Sequence, residues 1–206
     1  MKYRHIVFDI DGTLIDTEYA VLHSLQDTLR AISGKEIPVS ELTFALGITG
    51  KDALEILGIK DLSRAQGLWD TYWRGYADTV RVFDGIFELL DHLQRLGCRM
   101  GIVTSQTREE FRQNFCPFGI RPYFKTIIRA EDTREHKPSA APLFKYLETA
   151  EADERQVLYI GDSPYDSQCA ENAGIDFALA VWGSRQESIR ADYFLKSPLD
   201  LITLIT

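Results

Sequence analysis

Cysteine is scarce in this chain. Cys98, Cys116 and Cys169 are odd in number, widely spaced and form no C-x-x-C pair. That excludes a disulfide framework or a zinc knuckle and fits a reduced, cytoplasmic protein. Positive charge is also in deficit: 23 Lys and Arg stand against 31 Asp and Glu, a formal net charge of −8. So acidic a chain offers no general surface for nucleic acid or an anionic membrane. Any anionic ligand has to be held locally, by a few cations, backbone amides or a metal. Long hydrophobic runs are missing too. The apolar residues before Asp9 are too few for a signal-peptide core, and no later stretch is long enough to span a bilayer. There is no internal repeat, no low-complexity segment and no signal for an oligomeric state.

What is present suffices for a core. Hydrophobic residues make up 45% of 206, ordinary for one globular domain or one domain carrying a sizeable insertion. Ile6-Val7-Phe8 reads as a short buried strand. From about Arg81 strand and helix alternate. Strands are predicted at 99–103, 126–128, 157–160 and 177–181, with a weaker one at 193–195. Helices are predicted at 86–96, 108–115, 142–149 and 165–173, with a last one after Pro198. Gly97 caps the first of these helices, Thr107 starts the second and Pro117 stops it. Such alternation implies an α/β fold, a Rossmann-like parallel sheet with helices on both faces. Residues 17–79 break the rhythm: 18–32, 40–46, 51–57 and 62–78 carry helical periodicity with no strand between them. An all-helical cap inserted after the first strand is expected, with residues 1–15 and 81–206 as the core and 16–80 as the cap.

Asp9-Ile10-Asp11-Gly12-Thr13 follows the first strand. Two carboxylates there meet at the carboxyl edge of a sheet, where open α/β folds bind ligands. Turn formation is the plainer alternative for this pentapeptide alone. Other predicted strand ends carry polar residues as well: Thr104-Ser105 after 99–103, and Gly161-Asp162-Ser163-Pro164-Tyr165-Asp166 after 157–160. His136-Lys137-Pro138 precedes a helix. Each of these signals singly reads as a cap or a solvated side chain; all of them at one sheet edge read as a site.

The combination resembles the haloacid dehalogenase superfamily, with four motifs in order from the first strand to about Leu195. Asp9-x-Asp11-Gly12-Thr13-Leu14 is similar to its first motif and the run into Thr104 to its second. Lys137-Pro138 is similar to the third, and Gly161-Asp162-x-x-x-Asp166 to the fourth. The helical insert corresponds to the helical-cap subgroup, and the overall look is similar to phosphoglycolate-phosphatase-like members. The resemblance implies phosphate-ester chemistry, whose uncatalysed rates are so low that enhancements reach ~10²¹. By it, Asp9 is the nucleophile and Asp11 the general acid and base. Lys137 offsets charge, Thr104 contacts the phosphoryl group, and Gly12, Thr13 and Ser105 line the phosphate site. It also implies Mg²⁺ held by Asp9, Asp11 (through its carbonyl) and Asp162, with Asp166 close by. Dehalogenating members lack an acid at the position of Asp11, which favours phosphate over carbon–halogen cleavage.

Substrate choice is expected from the cap. Gly47-Ile48-Thr49-Gly50-Lys51 is a glycine-bounded turn at the place where related caps dip a specificity loop, so Thr49 and Lys51 are candidate substrate contacts. Helix capping by Thr49 and solvation of Lys51 are the competing readings. The expected function is Mg²⁺-dependent hydrolysis of a small phosphorylated metabolite of phosphoglycolate, sugar phosphate or nucleotide type. The alternatives are a phosphomutase of the β-phosphoglucomutase kind and a non-catalytic binding protein on the same fold.

Overall fold

The computed structural model describes residues 2–185 and 188–206. Six strands form one parallel sheet: β1 (His5–Phe8), β4 (Arg99–Val103), β5 (Thr126–Ile128), β6 (Val157–Gly161), β7 (Asp176–Ala180) and β8 (Tyr193–Leu195). Their order is β5-β4-β1-β6-β7-β8. β1 lies at the centre, with Phe8 in register with Ile102 on one side and Ile160 on the other. Chain connections therefore leave β1 in opposite directions, and the crevice this opens lies beyond the carboxyl ends of β1, β4 and β6.

Alternation along each strand feeds two cores. Ile6 and Phe8 of β1, with Met100 and Ile102 of β4, pack toward α4 (Ile86–Arg95) and α8 (Asp200–Ile205). Val7, Val103 and Tyr159 pack on the other face toward α6 (Ala141–Ala150) and α7 (Pro164–Ala173). Both faces are covered, which is why these strands read as continuous apolar runs.

The insert after β1 is helical. α1 (Glu18–Ser33), α2 (Gly50–Ile56) and α3 (Leu62–Gly75) enclose a cluster of their own that includes Leu22, Leu25, Leu42, Leu54 and Trp69. Three local expectations change. Residues 40–46 form two single 3₁₀ turns, Val39–Glu41 and Thr43–Ala45, in place of a helix. At seven residues the stretch is too short to offset the cost of nucleating a helix. The segment after Thr107 opens as α5 (Arg108–Glu110), widens into a π turn over Phe111–Phe115 and tightens into 3₁₀ over Cys116–Phe118, where Pro117 cannot donate to an α ladder. The widened turn buries both Phe111 and Phe115, their ring centroids 5.0 Å apart. The strand expected to reach residue 181 stops at Ala180, and Val181 begins an exposed turn.

A two-stranded antiparallel ribbon, β2 (Ile15–Asp16) with β3 (Arg81–Val82), joins the place where the chain leaves the sheet for the insert to the place where it returns. Asp16 and Arg81 add an ion pair of 3.3 Å across it. Two residues per strand are too few to show a period in the sequence.

Candidate active site

Asp9 continues β1, and its backbone N–H donates to Ile160 O at 2.8 Å, which fixes the turn to the end of β6. Gly12 follows in the left-handed region, φ 78°. A side chain there would run into the Asp162 carboxylate, so glycine lets β1's turn and β6's end touch. Gly183 is equally constrained, because a Cβ on it would collide with the Gly12 carbonyl. Trp182 beside it donates its indole N–H to Thr13 O at 3.0 Å. The turn after β7 thus braces the turn after β1.

Lys137 crosses to this edge and lies between two carboxylates, 2.9 Å from Asp9 Oδ1 and 2.8 Å from Asp166 Oδ1. All three are buried. Burial alone would lower the Lys137 ammonium, but Asp166 and Asp9 outweigh it and hold it charged, above its ordinary range. Asp166 is fully committed. Oδ1 also accepts from Tyr159 OH at 2.7 Å, and Oδ2 from Ser163 N and Oγ at 3.2 and 2.5 Å. Its carboxylate holds Lys137 and the first turn of α7, and one of its oxygens lies in the same acidic cluster as Asp9 and Asp162.

Asp9 is only half satisfied. Its Oδ2 is buried without a hydrogen-bond partner among the described residues. Burial pushes its carboxyl up to about 8 against the pull of Lys137. Asp162 is likewise raised, by burial first and then by the charges of Asp166 and Asp9. One oxygen from each of Asp9, Asp162 and Asp166 falls within a 4.8 Å cluster. A hard divalent cation fits this set: the donors are all carboxylate oxygens, one is orphaned, and one lysine cannot neutralise three acids.

Asp11 points elsewhere. Gln106 Nε2 donates to both its oxygens, at 3.0 and 2.9 Å. Gln106 is buried, its backbone N–H donates to Thr104 Oγ1 at 3.1 Å, and its carbonyl accepts from Ala130 N at 3.0 Å. Sequence reasoning passed over Gln106 and Tyr159. The signal for Gln106 was its place two residues beyond Thr104; Tyr159, inside an apolar strand, gave none.

The remaining candidates separate. Thr104 is buried at the end of β4. Thr13 is wholly buried, and its hydroxyl donates to Asp162 Oδ1 at 3.0 Å, so it positions that carboxylate and does not face a ligand. Ser105 Oγ donates to Gly47 O in the insert at 2.9 Å. Thr49 caps α2, accepting from Asp52 N at 3.1 Å, and Lys51 is exposed, 3.7 Å from Glu55. Both nevertheless line a cavity of about 570 Å³ that opens over Asp9 and Asp11 beneath the insert.

A parallel α/β sheet with carboxylates and a buried lysine at its central crevice defines a class of hydrolase, and the comparisons agree. A family model described as haloacid dehalogenase-like hydrolase matches residues 6–180. Pyrophosphatase PpaX of Halalkalibacterium halodurans is 27% identical over 222 residues, covering 100% of this chain and 98% of its own. A crystal structure from Lactobacillus plantarum, provisionally named a phosphoglycolate phosphatase, superposes with a TM-score of 0.89 at 30% identity, covering 99% of this chain and 100% of that one. CbbY of Rhodobacter sphaeroides, solved in complex with phosphate, shares the fold, with a TM-score of 0.83 at 20% identity over 97% of this chain and 96% of that one. The chain belongs to the haloacid dehalogenase-like hydrolases. Within them it stands with the phosphatases.

Proposed function

We propose that this hydrolase removes the phosphoryl group from a small phosphorylated metabolite, with Asp9 as nucleophile and Mg²⁺ as cofactor, in the cytoplasm. The observation that carries the reading is the asymmetry of Asp9. Lys137 fixes Oδ1, and Oδ2 is left buried and unpartnered, an oriented carboxylate with one free oxygen.

In the first step an Asp9 oxygen attacks phosphorus in line with the ester oxygen. The bond from phosphorus to that oxygen breaks, Asp11 gives its proton to the departing alkoxide, and Asp9 carries the phosphoryl group as an acyl phosphate. In the second step Asp11, now a carboxylate, takes a proton from water as that water's oxygen attacks phosphorus. The bond from phosphorus to Asp9 breaks, releasing inorganic phosphate and restoring both aspartates. Gln106 supports this cycle by holding both Asp11 oxygens from one side. Thr104, Ser105 and the Gly12 turn receive the phosphoryl oxygens, and Lys137 balances charge on Asp9 as it is esterified. Asp9 and Asp162, with the Asp11 carbonyl, would hold Mg²⁺. When bound, the ion neutralises the crowded carboxylates and the phosphoryl oxygens.

The test is phosphate release from p-nitrophenyl phosphate and from a panel of phosphorylated metabolites. Turnover is expected with Mg²⁺, lost in chelator and lost in Asp9→Asn. Near wild-type release by Asp9→Asn overturns the mechanism.

A further inference from the structure

The cavity over Asp9 and Asp11 is lined by two kinds of surface. The insert contributes an apolar part, built by Leu46, Ile48, Leu54, Leu62, Trp69 and Trp73. Trp69 spends its N–H on Ser24 Oγ at 2.8 Å, so what it brings to this wall is aromatic surface.

The remaining lining is rich in acceptors. Gln66 Nε2 lies 2.9 Å from Asp70 Oδ1 and 3.5 Å from Glu110 Oε1, and Glu110 Oε2 takes the Thr107 N–H at 2.7 Å. Burial raises the Glu110 carboxyl above its usual range. Gln106, its amide N–H groups committed to Asp11, keeps a buried Oε1 acceptor with no partner among the described residues. That orientation suits an ionised Asp11, whose acceptor-only carboxylate takes the amide N–H groups. Among the described lining residues only Lys51 and His136 can carry positive charge, and each already faces a carboxylate, Glu55 at 3.7 Å and Asp52 at 3.1 Å.

Given the phosphatase reading on which this rests, we infer that the substrate's leaving alcohol is a flat or bulky apolar group bearing an amine, with no second anionic group. The apolar wall takes its body, and Glu110, Asp70 and Gln66 take its donor end. A desolvated ammonium gains from carboxylates and indole rings alike. A volume of about 570 Å³ falls in the range that encloses organic ligands, roughly 300–1,000 Å³. A second phosphate or a short carboxylate, as in pyrophosphate or 2-phosphoglycolate, would meet Glu110 and Asp70 without an unengaged base and would leave the apolar wall in water.

The experiment compares kcat/KM of the Mg²⁺-loaded enzyme on tyramine O-phosphate, its uncharged analogue 4-methylphenyl phosphate, 2-phosphoglycolate and pyrophosphate. Tyramine phosphate is expected to exceed both competitors that carry a second anionic group at least tenfold. Glu110→Gln, which preserves the capping box at Thr107, is expected to shrink the preference for tyramine phosphate over 4-methylphenyl phosphate at least fivefold. Equal or better turnover of 2-phosphoglycolate or pyrophosphate overturns the inference, as does an unchanged preference in Glu110→Gln. Failure on every ester, p-nitrophenyl phosphate included, removes instead the phosphatase reading beneath it.

Discussion

Gln106 presents its side-chain amide to both carboxylate oxygens of Asp11, at 3.0 and 2.9 Å. Hydrogen bonds to a charged group contribute about 1.5–3 kcal/mol, and this one also fixes where the Asp11 proton can go. Gln106→Leu keeps the volume and removes the donor. Its kcat is expected to fall about tenfold or more on alkyl phosphates and less on p-nitrophenyl phosphate, whose leaving group needs no proton. Equal losses on the two substrates would show that Gln106 does not act through Asp11.

Among the described residues, Lys137 is the one buried cation between Asp9 and Asp166. Removing one partner from a buried ion pair costs about 3–5 kcal/mol, because the remaining charges lose their compensation. Lys137→Met is expected to lower the urea midpoint by a corresponding amount at unchanged m-value, and to abolish turnover.

Asp9 opposes the fold that holds it. Its carboxyl is pushed up to about 8 in the native protein from 3.8. A raised carboxyl favours the protonated native state, so the contribution of Asp9 to stability is most favourable below 3.8 and declines as pH rises toward 8. In chelator at pH 7, Asp9→Asn is therefore expected to melt at or above the wild-type temperature. Mg²⁺ is expected to raise the wild-type Tm and to raise that of the variant less. A calorimetric scan with and without the ion reads both.

His5, buried in β1 with Nδ1 3.1 Å from Tyr146 OH, has its pKa lowered from 6.5 by burial and by Arg99. The unfolded chain then binds the proton more readily. The contribution of His5 is flat above pH 6.5 and falls below it, by at most about 1.4 kcal/mol per pH unit, until the native imidazole also charges. His5→Asn is expected to flatten this slope between pH 5 and 6.5 in urea titrations.

Gly183 has no room for a side chain because the Gly12 carbonyl lies where its Cβ would stand. The obstacle is backbone, so relief requires moving the turn that carries Asp11. Gly183→Ala is expected to reduce kcat at least tenfold on any ester, with circular dichroism unchanged; full activity would mean the two turns move independently.

Legibility in the sequence followed chain-local physics. Ile6-Val7-Phe8 and 100–103 were readable as strands because burial on both faces leaves an uncharged, largely apolar run, and the acidic residues that follow the first and fourth of the predicted strands mark the edge where Asp9, Asp162 and Asp166 come together. Thr107 and Ser163 were readable as helix caps, and the structure completes each as a capping box, with Glu110 and Asp166. Tyr159 was not legible, since a phenol inside a buried strand looks like core until Lys137 and Asp166 arrive from distant segments. Gln106 required knowing which way Asp11 turns. The acceptor-rich lining around Glu110 and Asp70 joins α5 to α3, an adjacency no local pattern encodes.

The ribbon of Ile15–Asp16 with Arg81–Val82 brings the start and the end of the helical excursion side by side. Everything between is a closed detour: however long it is or however its helices are arranged, the strand order of the sheet does not have to change to accommodate it. Variation in those helices can therefore proceed without disturbing Asp9, Lys137 or Asp162. The wall that selects a substrate and the edge that breaks its bond can diverge at different rates in one polypeptide.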